Sequence, residues 1–358
     1  MSQSVFFIAE AGVNHNGLIE LALQLVDVAA DAGADAVKFQ TFKAAKLTTA
    51  QARKADYQVT NTQEAGNQLD MLRRLELSDS DHEVLFAHCR ARGIRFMSTA
   101  FDADSLGMLG GLGMPAIKIP SGDITCAPLL LQSARLRQPL IVSSGMSTLA
   151  DIEQALGVIA FGLLRDDEPT GQSDFETAYA SLEGREALRR HVTLLHCVTQ
   201  YPAPASSVNL RAMDTMAAAF GLPVGYSDHT AGIEVSIAAV ARGATVIEKH
   251  FTLDRSLPGP DHAASLEPSE LTALIGAIRN VEAALGSPVK CPAPEELANR
   301  AVARRSLVAA RAIRAGESFT AGALAWKRPG SGISPMLLWD MSGRTATRDY
   351  DVDELIQP

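Results

Sequence analysis

A short apolar run, Val5–Ala9, opens the chain, followed by a polar stop and a helical pattern, and this order recurs up to residue 285. The later runs are Ala36–Phe39, Ile94–Met97, Ala116–Ile119, Leu140–Val142, Val192–Leu195, Val224–Tyr226 and Thr245–Ile247, which makes eight. Seven of them follow a Gly, Pro or charged break at the end of a helical pattern, as in DAGADAVKFQ, ARGIRFMST and ARGATVIEKH. Apolar strands alternating with helices predict βα units on a parallel sheet. Eight such units in about 280 residues predict a closed (β/α)8 TIM barrel. The competing reading is an open doubly wound sheet. That fold normally carries a glycine-rich GxGxxG turn after its first strand, and AEAGVNHNG is not one.

Two stretches interrupt the repeat. Thr41–Ser78 is a long polar excursion between the second strand and its helix, and long loops over a barrel mouth are usually functional. Arg165–Arg190, polar and acidic, reads as an added helix on the outside. Residues 1–285 thus form the predicted barrel, its last helix spanning Glu267–Leu285. Residues 286–299, which contain SPVKCPAPEELAN, are a linker by composition. Residues 300–358 read as short strands and turns. A domain of that size buries little surface and gains from packing on a partner subunit.

Composition adds limits. Apolar residues at 47% and charged residues at 20% are ordinary for a soluble protein with a real core. Lys and Arg number 32 against 41 Asp and Glu, and the net charge of −9 argues against a nucleic-acid surface. The charge is uneven: between Arg300 and Arg328 lie seven basic residues and one acid, Glu317. Such a segment is a solvated face, a docking surface, or a piece that approaches an anionic ligand. The four cysteines show no CxxC or disulfide spacing, as expected of free thiols in a reducing cytoplasm. No secretory signal opens the chain and no apolar stretch reaches membrane-spanning length, so the expectation is a soluble cytoplasmic protein.

In a barrel of this kind, active sites are built at the C-terminal strand ends. Here those ends carry Glu10 with Asn14, His15 and Asn16; Lys38 and Gln40; Ser98 and Thr99; Lys118, Ser121 and Asp123; Ser143 and Ser144; His196, Thr199 and Tyr201; Ser227, Asp228 and His229; and Glu248, Lys249 and His250. Polar groups at every end of one barrel describe a polar pocket. His229 and His250 are 21 residues apart, one αβ unit, and so sit on adjacent strands. At a strand spacing of about 5 Å they can share one divalent cation, or one can belong to a hydrogen-bond network and the other to a loop. Lys38 and Lys118, with Ser121, Ser143 and Ser227, offer cations and hydroxyls to a phosphate. The lysines can instead pair with barrel carboxylates, or one can form a Schiff base. Glu10 suits general acid–base work or a salt bridge to Lys38. Asp261, in LPGPDH, suits a sugar hydroxyl or its own turn.

At these residues the chain resembles the bacterial sialic acid (nonulosonic acid) synthases, which make N-acetylneuraminic, legionaminic and pseudaminic acids. The matching stretches are IAEAGVNHNG, GADAVKFQTFKA, FMSTAFD, KIPSGD, SSGM, LLHCVTQYPAP, VNLRAM, GYSDHTAGIEV, VIEKHFTLDRSLPGPDHAASLEP and KRPGSGISPM, from residue 8 to residue 336. The tail is similar to the antifreeze-like (SAF) domain of such enzymes. The resemblance implies that His229 and His250 bind a catalytic divalent ion, manganese first, with magnesium or cobalt as alternatives. It further implies that Lys38, Lys118, Ser121, Ser143 and Ser227 contact phosphoenolpyruvate. Glu10 would stand near the reacting aldehyde, and Gln40, Thr99, Asp123, Tyr201 and Asp261 would face the sugar or the metal-bound water. Arg328 would reach the sugar's N-acyl group across a domain-swapped homodimer. Three positions depart from the pattern: Thr199 stands where some members have Asn, Asp123 where several have Glu, and Arg304 where one subgroup has an aromatic residue.

The implied reaction is attack by C3 of phosphoenolpyruvate on the aldehyde of an open-chain amino sugar, polarised by the cation as Lewis acid. Water then captures C2, and phosphate leaves by C–O cleavage. N-Acetylmannosamine is the first expected acceptor, giving N-acetylneuraminate. A 2,4-diacetamido-2,4,6-trideoxyhexose, giving legionaminic or pseudaminic acid, is the alternative. A Schiff-base aldolase using Lys118 is a more distant reading. A sugar- or ice-binding tail on an idle barrel is another, against which the complete polar pocket argues.

Overall fold

The structure, a computed structural model, describes residues 4–62 and 66–357. Residues 63–65, inside the predicted Thr41–Ser78 excursion, and the ends 1–3 and 358 lie outside the described residues. By its contacts the chain divides into two compact units, Met1–Gly286 and Ser287–Pro358.

In the first unit eight strands close a barrel: β1 (Phe6–Gly12), β2 (Ala36–Thr41), β3 (Arg95–Ala100), β4 (Ile117–Ile119), β5 (Leu140–Ser143), β6 (Val192–Cys197), β7 (Val224–Asp228) and β8 (Val246–His250). Neighbours are parallel throughout, and β1 pairs with both β2 and β8, which rules out the open sheet. Most strands run past the apolar runs read from sequence, β1, β3 and β8 by three residues. An inward polar side chain ends the apolar run but not the hydrogen-bonded ladder.

Period two then builds the interior in layers. Ile8, Ala36, Met97, Ala116, Ile141, Leu195 and Val246 form a buried apolar cluster of their own. Two residues further along the same strands stand Glu10, Lys38, Thr99, Lys118, Ser143, Cys197 and Glu248. On β7 the apolar layer holds Gly225, where an added Cβ would lie 2.4 Å from the Val246 carbonyl oxygen, and Ser227 follows. The barrel therefore has an apolar plug below and a polar layer directly above it. Residues of opposite parity, such as Ala9, Val37, Ile117, Val142, Tyr226 and Ile247, pack outward against the helices in the main core.

Outward parity also relocates several polar strand-end residues that the sequence reading counted with the pocket. Lys249 pairs with Asp228 at 2.8 Å, fully buried on the helix side. Ser98 and Thr41 share a 2.7 Å hydrogen bond, and Thr41 meets His82 Nε2 at 2.7 Å. The Nε2–H of His196 donates to the Val208 carbonyl at 2.6 Å, and Ser144 donates to the Leu195 carbonyl at 2.8 Å. Asn14, in the turn past the end of β1, donates to the Phe251 carbonyl at 2.8 Å. These groups hold loops in place.

The polar excursion carries three short helices, Ala44–Leu47, Asp56–Thr62 and Gln68–Arg73, around a small apolar cluster that includes Val13, Phe42, Leu69, Met71 and Leu75. The acidic insertion is two helices, Gln172–Ala180 and Leu182–His191, rather than one. It covers helix Leu149–Leu164, which is buried along most of its length, with Phe175 edge-on to Phe161.

The second unit contains helix Pro294–Ala303, so part of the expected 286–299 linker is helical. Pro294 sits in its first turn, where a missing N–H costs nothing. Strands β9 (Ser306–Ala309) and β10 (Leu324–Lys327) pair antiparallel over a core of Leu307, Ile313, Phe319 and Tyr350. Among the described residues no helix is long and apolar enough to cross a membrane.

Candidate active site

The polar layer and the loops above it enclose a cavity of about 230 Å³ at the C-terminal end of the barrel. Of the residues singled out from sequence, Glu10, Lys38, Gln40, Thr99, Lys118, Ser121, Ser143, Tyr201, Ser227, His229, His250 and Asp261 line it. Asp123 and Arg328 do not. Asp123 ends the 3-10 turn Ser121–Asp123; its Oδ2 is buried without a partner among the described residues, and burial pushes its carboxyl up to about 6. Arg328 belongs to the second unit, where its Nε–H donates to the Ala303 carbonyl. A larger groove of about 650 Å³ lies between helix Leu149–Leu164 and the insertion, and no barrel strand residue lines it.

One wall of the cavity is a buried charge cluster. Lys38 lies 2.6 Å from Glu10 and 3.6 Å from Glu248. Lys118 lies 3.5 Å from Glu248 and donates to Ser143 Oγ at 2.8 Å. Ser227 donates to Glu248 at 3.0 Å, and Lys38 donates to Thr99 Oγ1 at 3.0 Å. Glu248 thus sits between the two lysines, and sequence reading, which noted it only as one polar strand end, gave it no role. Burial opposes its charge, but Lys118 and Lys38 outweigh burial and hold it down to about 2. Glu10 goes the other way: burial, with Glu248 adding repulsion, pushes it up to about 7 despite Lys38. Burial lowers Lys118, whereas the two carboxylates overcome burial at Lys38 and raise it. The lysines are paired with carboxylates and also line the cavity.

Beside Lys118 a small cradle forms. Gly145 N–H donates to Ser121 Oγ at 3.0 Å, and Ser121 Oγ lies 3.0 Å from Cys197 Sγ. A Cβ on Gly145 would stand 2.3 Å from Thr199 Oγ1 and 2.8 Å from Ser121 Oγ, so only glycine fits. Backbone N–H, hydroxyls and ammonium groups on one wall make a place for an anion.

The two imidazoles sit on the neighbouring wall, with ring centroids 5.7 Å apart. His229 Nδ1–H donates to the Val198 carbonyl at 2.7 Å, which leaves Nε2 as the lone-pair nitrogen. His250 Nδ1 is buried without a hydrogen-bond partner among the described residues. Burial keeps both rings neutral, His250 well below the usual histidine range. Two neutral imidazoles, one with an orphaned nitrogen, suit a divalent cation that keeps open positions. Among the described residues no third His, Cys, Asp or Glu joins them to make a larger ligand group. Tyr201 packs on both rings, at 4.2 Å from His229 and 5.8 Å from His250.

Tyr57 of the excursion, absent from the sequence-derived set, packs 5.0 Å from Tyr201. Asn61 Nδ2 donates to the Pro260 carbonyl at 2.6 Å and ties the excursion to the loop that carries Asp261. Asp261 lines the cavity, and burial pushes its carboxyl up to about 6. Nothing in local periodicity marks Tyr57, because its role depends on a loop folding back over the mouth.

Residues 25–290 match the NeuB family, and residues 304–358 match the SAF domain. The N,N'-diacetyllegionaminic acid synthase of Campylobacter jejuni is 46% identical over 99% of this chain and 99% of its own. That of Legionella pneumophila is 45% identical over 96% of this chain and 90% of its own. The crystal structure of the N-acetylneuraminic acid synthetase of Leptospira borgpetersenii superposes with a TM-score of 0.66 at 32% identity, covering 83% of this chain and 90% of that one. With the barrel, its polar cup and these likenesses together, the chain belongs to the NeuB family of sialic-acid-type synthases, phosphoenolpyruvate-dependent enzymes that form a carbon–carbon bond, and carries the SAF domain at its C-terminal end.

Proposed function

We propose that the chain is an N,N'-diacetyllegionaminic acid synthase, condensing phosphoenolpyruvate with open-chain 2,4-diacetamido-2,4,6-trideoxymannose and water, with release of phosphate. The observation that carries this reading is the near end-to-end likeness to two legionaminic acid synthases, well above that to the N-acetylneuraminic acid synthetase. It favours the diacetamido sugar over N-acetylmannosamine as acceptor.

In this reading Lys38 and Lys118 hold the charges of phosphoenolpyruvate, and Ser121, Ser143 and Ser227 donate to its oxygens. Thr99 and Glu248 orient the two ammonium groups, to which they are already bound. Gln40, Tyr201 and Asp261 face the acceptor. Glu10, beside Gln40, is placed to hold or return a proton as the acceptor's carbonyl oxygen gains charge. A divalent ion at His229 and His250, manganese first, supplies Lewis-acid polarisation of that carbonyl when bound. The excursion, tied by Asn61 to the Pro260 carbonyl, shields the reacting carbons from bulk water.

We place Arg328 at the acceptor's N-acyl group of a partner subunit in a domain-swapped homodimer. Two features of the second unit support this: the guanidinium is exposed, and Trp326, Met336 and Trp339 leave large apolar surfaces in water.

Phosphate release measured with each purified aldose tests the acceptor. The expected result is kcat/KM at least tenfold higher for the diacetamido sugar, about 1.4 kcal/mol in the transition state. An equal or opposite preference overturns the assignment.

A further inference from the structure

The excursion helix Asp56–Thr62 contains no buried residue, and its one aliphatic side chain, Val59, is 51% exposed. A helix of this kind is not placed by a core of its own. Two of its side chains reach the loops of the barrel mouth. Tyr57 and Asn61, four residues apart, share one helix face. Asn61 donates to the Pro260 carbonyl, and Tyr57 packs on Tyr201.

From Tyr57 three rings follow one another into the site. Tyr57 lies 5.0 Å from Tyr201 with the planes 32° apart, and Tyr201 lies 4.2 Å from His229 with the planes 37° apart. The same Tyr201 ring stands edge-on to His250, at 5.8 Å and 86°. One phenol thus meets both imidazoles, and Tyr57 packs on that phenol from the excursion.

The imidazoles need such support. The Val198 carbonyl fixes one nitrogen of His229. The second side-chain torsion of a histidine has broad wells, so that bond alone lets the ring plane turn. His250 has less, since its Nδ1 has no hydrogen-bond partner among the described residues. Ring packing therefore sets the planes where hydrogen bonding leaves them loose, and the plane of an imidazole aims its lone pair. We propose that Tyr57 is a positioning residue for the imidazole pair: by seating Tyr201 against His229 and His250, it sets the site's affinity for a divalent cation. The inference rests on the reading of these two histidines as the cation site and extends that site to a residue of the excursion.

The test titrates Mn2+ into the full-length enzyme without substrates, read by paramagnetic resonance. Tyr57→Ala is expected to raise Kd by about 10- to 100-fold, the usual effect of removing a group that orients a metal ligand. Tyr57→Phe, which keeps the ring, is expected to stay near the wild type. In a Tyr201→Ala background Tyr57→Ala is expected to add nothing, because its route to the imidazoles is gone. An unchanged Kd in Tyr57→Ala, a full loss in Tyr57→Phe, or additive losses in the double variant each overturn the proposal.

The ring protons of His229, followed by NMR in the metal-free enzyme, keep this inference apart from the cation reading. The ring current of Tyr201 shifts them, and Tyr57→Ala is expected to move them toward the values of a solvated histidine. A wild type that binds no Mn2+ removes the cation reading. Ring protons unmoved by Tyr57→Ala remove the positioning role, whether or not the metal binds.

Discussion

The Nδ1–H of His229 donates to the main-chain carbonyl of Val198 at 2.7 Å, and this bond decides which nitrogen of the ring faces the cavity. A backbone acceptor from β6's following loop thereby sets the tautomer of a residue just past β7. His250 opposes it with a buried Nδ1 that has no partner among the described residues.

From this pairing comes the first expectation. His229→Ala and His250→Ala each abolish tight binding of one Mn2+ per chain, read by paramagnetic resonance, and lower turnover by about 10³ or more. Their urea midpoints stay near that of the wild type. Full turnover in chelator-treated wild type would remove the Lewis-acid role.

Lys118→Met strips Glu248 of one of its two cations while Lys38 remains 3.6 Å away. Breaking a buried pair typically costs about 3–5 kcal/mol, so with one partner kept the expected loss is about 2–3 kcal/mol. Adding Glu248→Gln restores most of the stability but not the affinity for phosphoenolpyruvate. An unchanged KM for phosphoenolpyruvate in Lys118→Met would show that this lysine only balances charge.

Gly145→Ala forces a methyl group into the space of Thr199 and Ser121. Moving the Ser121 hydroxyl off the Gly145 N–H should raise KM for phosphoenolpyruvate by about 10- to 100-fold, the effect of displacements near 1 Å. The acceptor's KM should move much less in steady-state assays.

Asn61→Ala cuts the tie between the excursion and the Pro260 carbonyl. A hydrogen bond of this kind contributes about 1 kcal/mol, so the acceptor's KM should rise about fivefold. An equal rise for phosphoenolpyruvate would mean that the loop holds the whole mouth and not the sugar side alone.

His15 governs part of the acid sensitivity. Its Nδ1 accepts from Gly17 N–H, its Nε2 is buried without a partner among the described residues, and burial pushes it down to about 4. The unfolded chain therefore binds a proton near 6.5 that the folded chain refuses until about 4. Stability from this group is complete above 6.5 and falls as pH drops through that window, by about 3 kcal/mol at the acid limit. Urea unfolding at pH 7 and pH 5 should show the loss, and His15→Asn should flatten it.

Much of this was legible before the fold was known. The eight apolar runs marked the strands, and twelve of the fourteen residues to which the resemblance assigned a role line the cavity. Asp123, at the end of the turn that carries Ser121, and Arg328, in the second unit, do not line it. Lys249 and Asp228 look in sequence like Lys38 and Glu248, and only strand parity separates them.

The chain's own order of residues determined the barrel, because alternating apolar strands and helices leave few ways to bury both faces of a parallel sheet. It also determined the chemical character of the cup, since every strand carries its polar group two places beyond its apolar one. Tertiary structure alone decided that Glu248 stands between Lys38 and Lys118, that Tyr57 leans on Tyr201, and that Asn61 ties the excursion to the Pro260 carbonyl. Those relationships join residues far apart in the chain. Barrel closure and loop packing create them, and no local pattern carries information about which distant side chain will arrive.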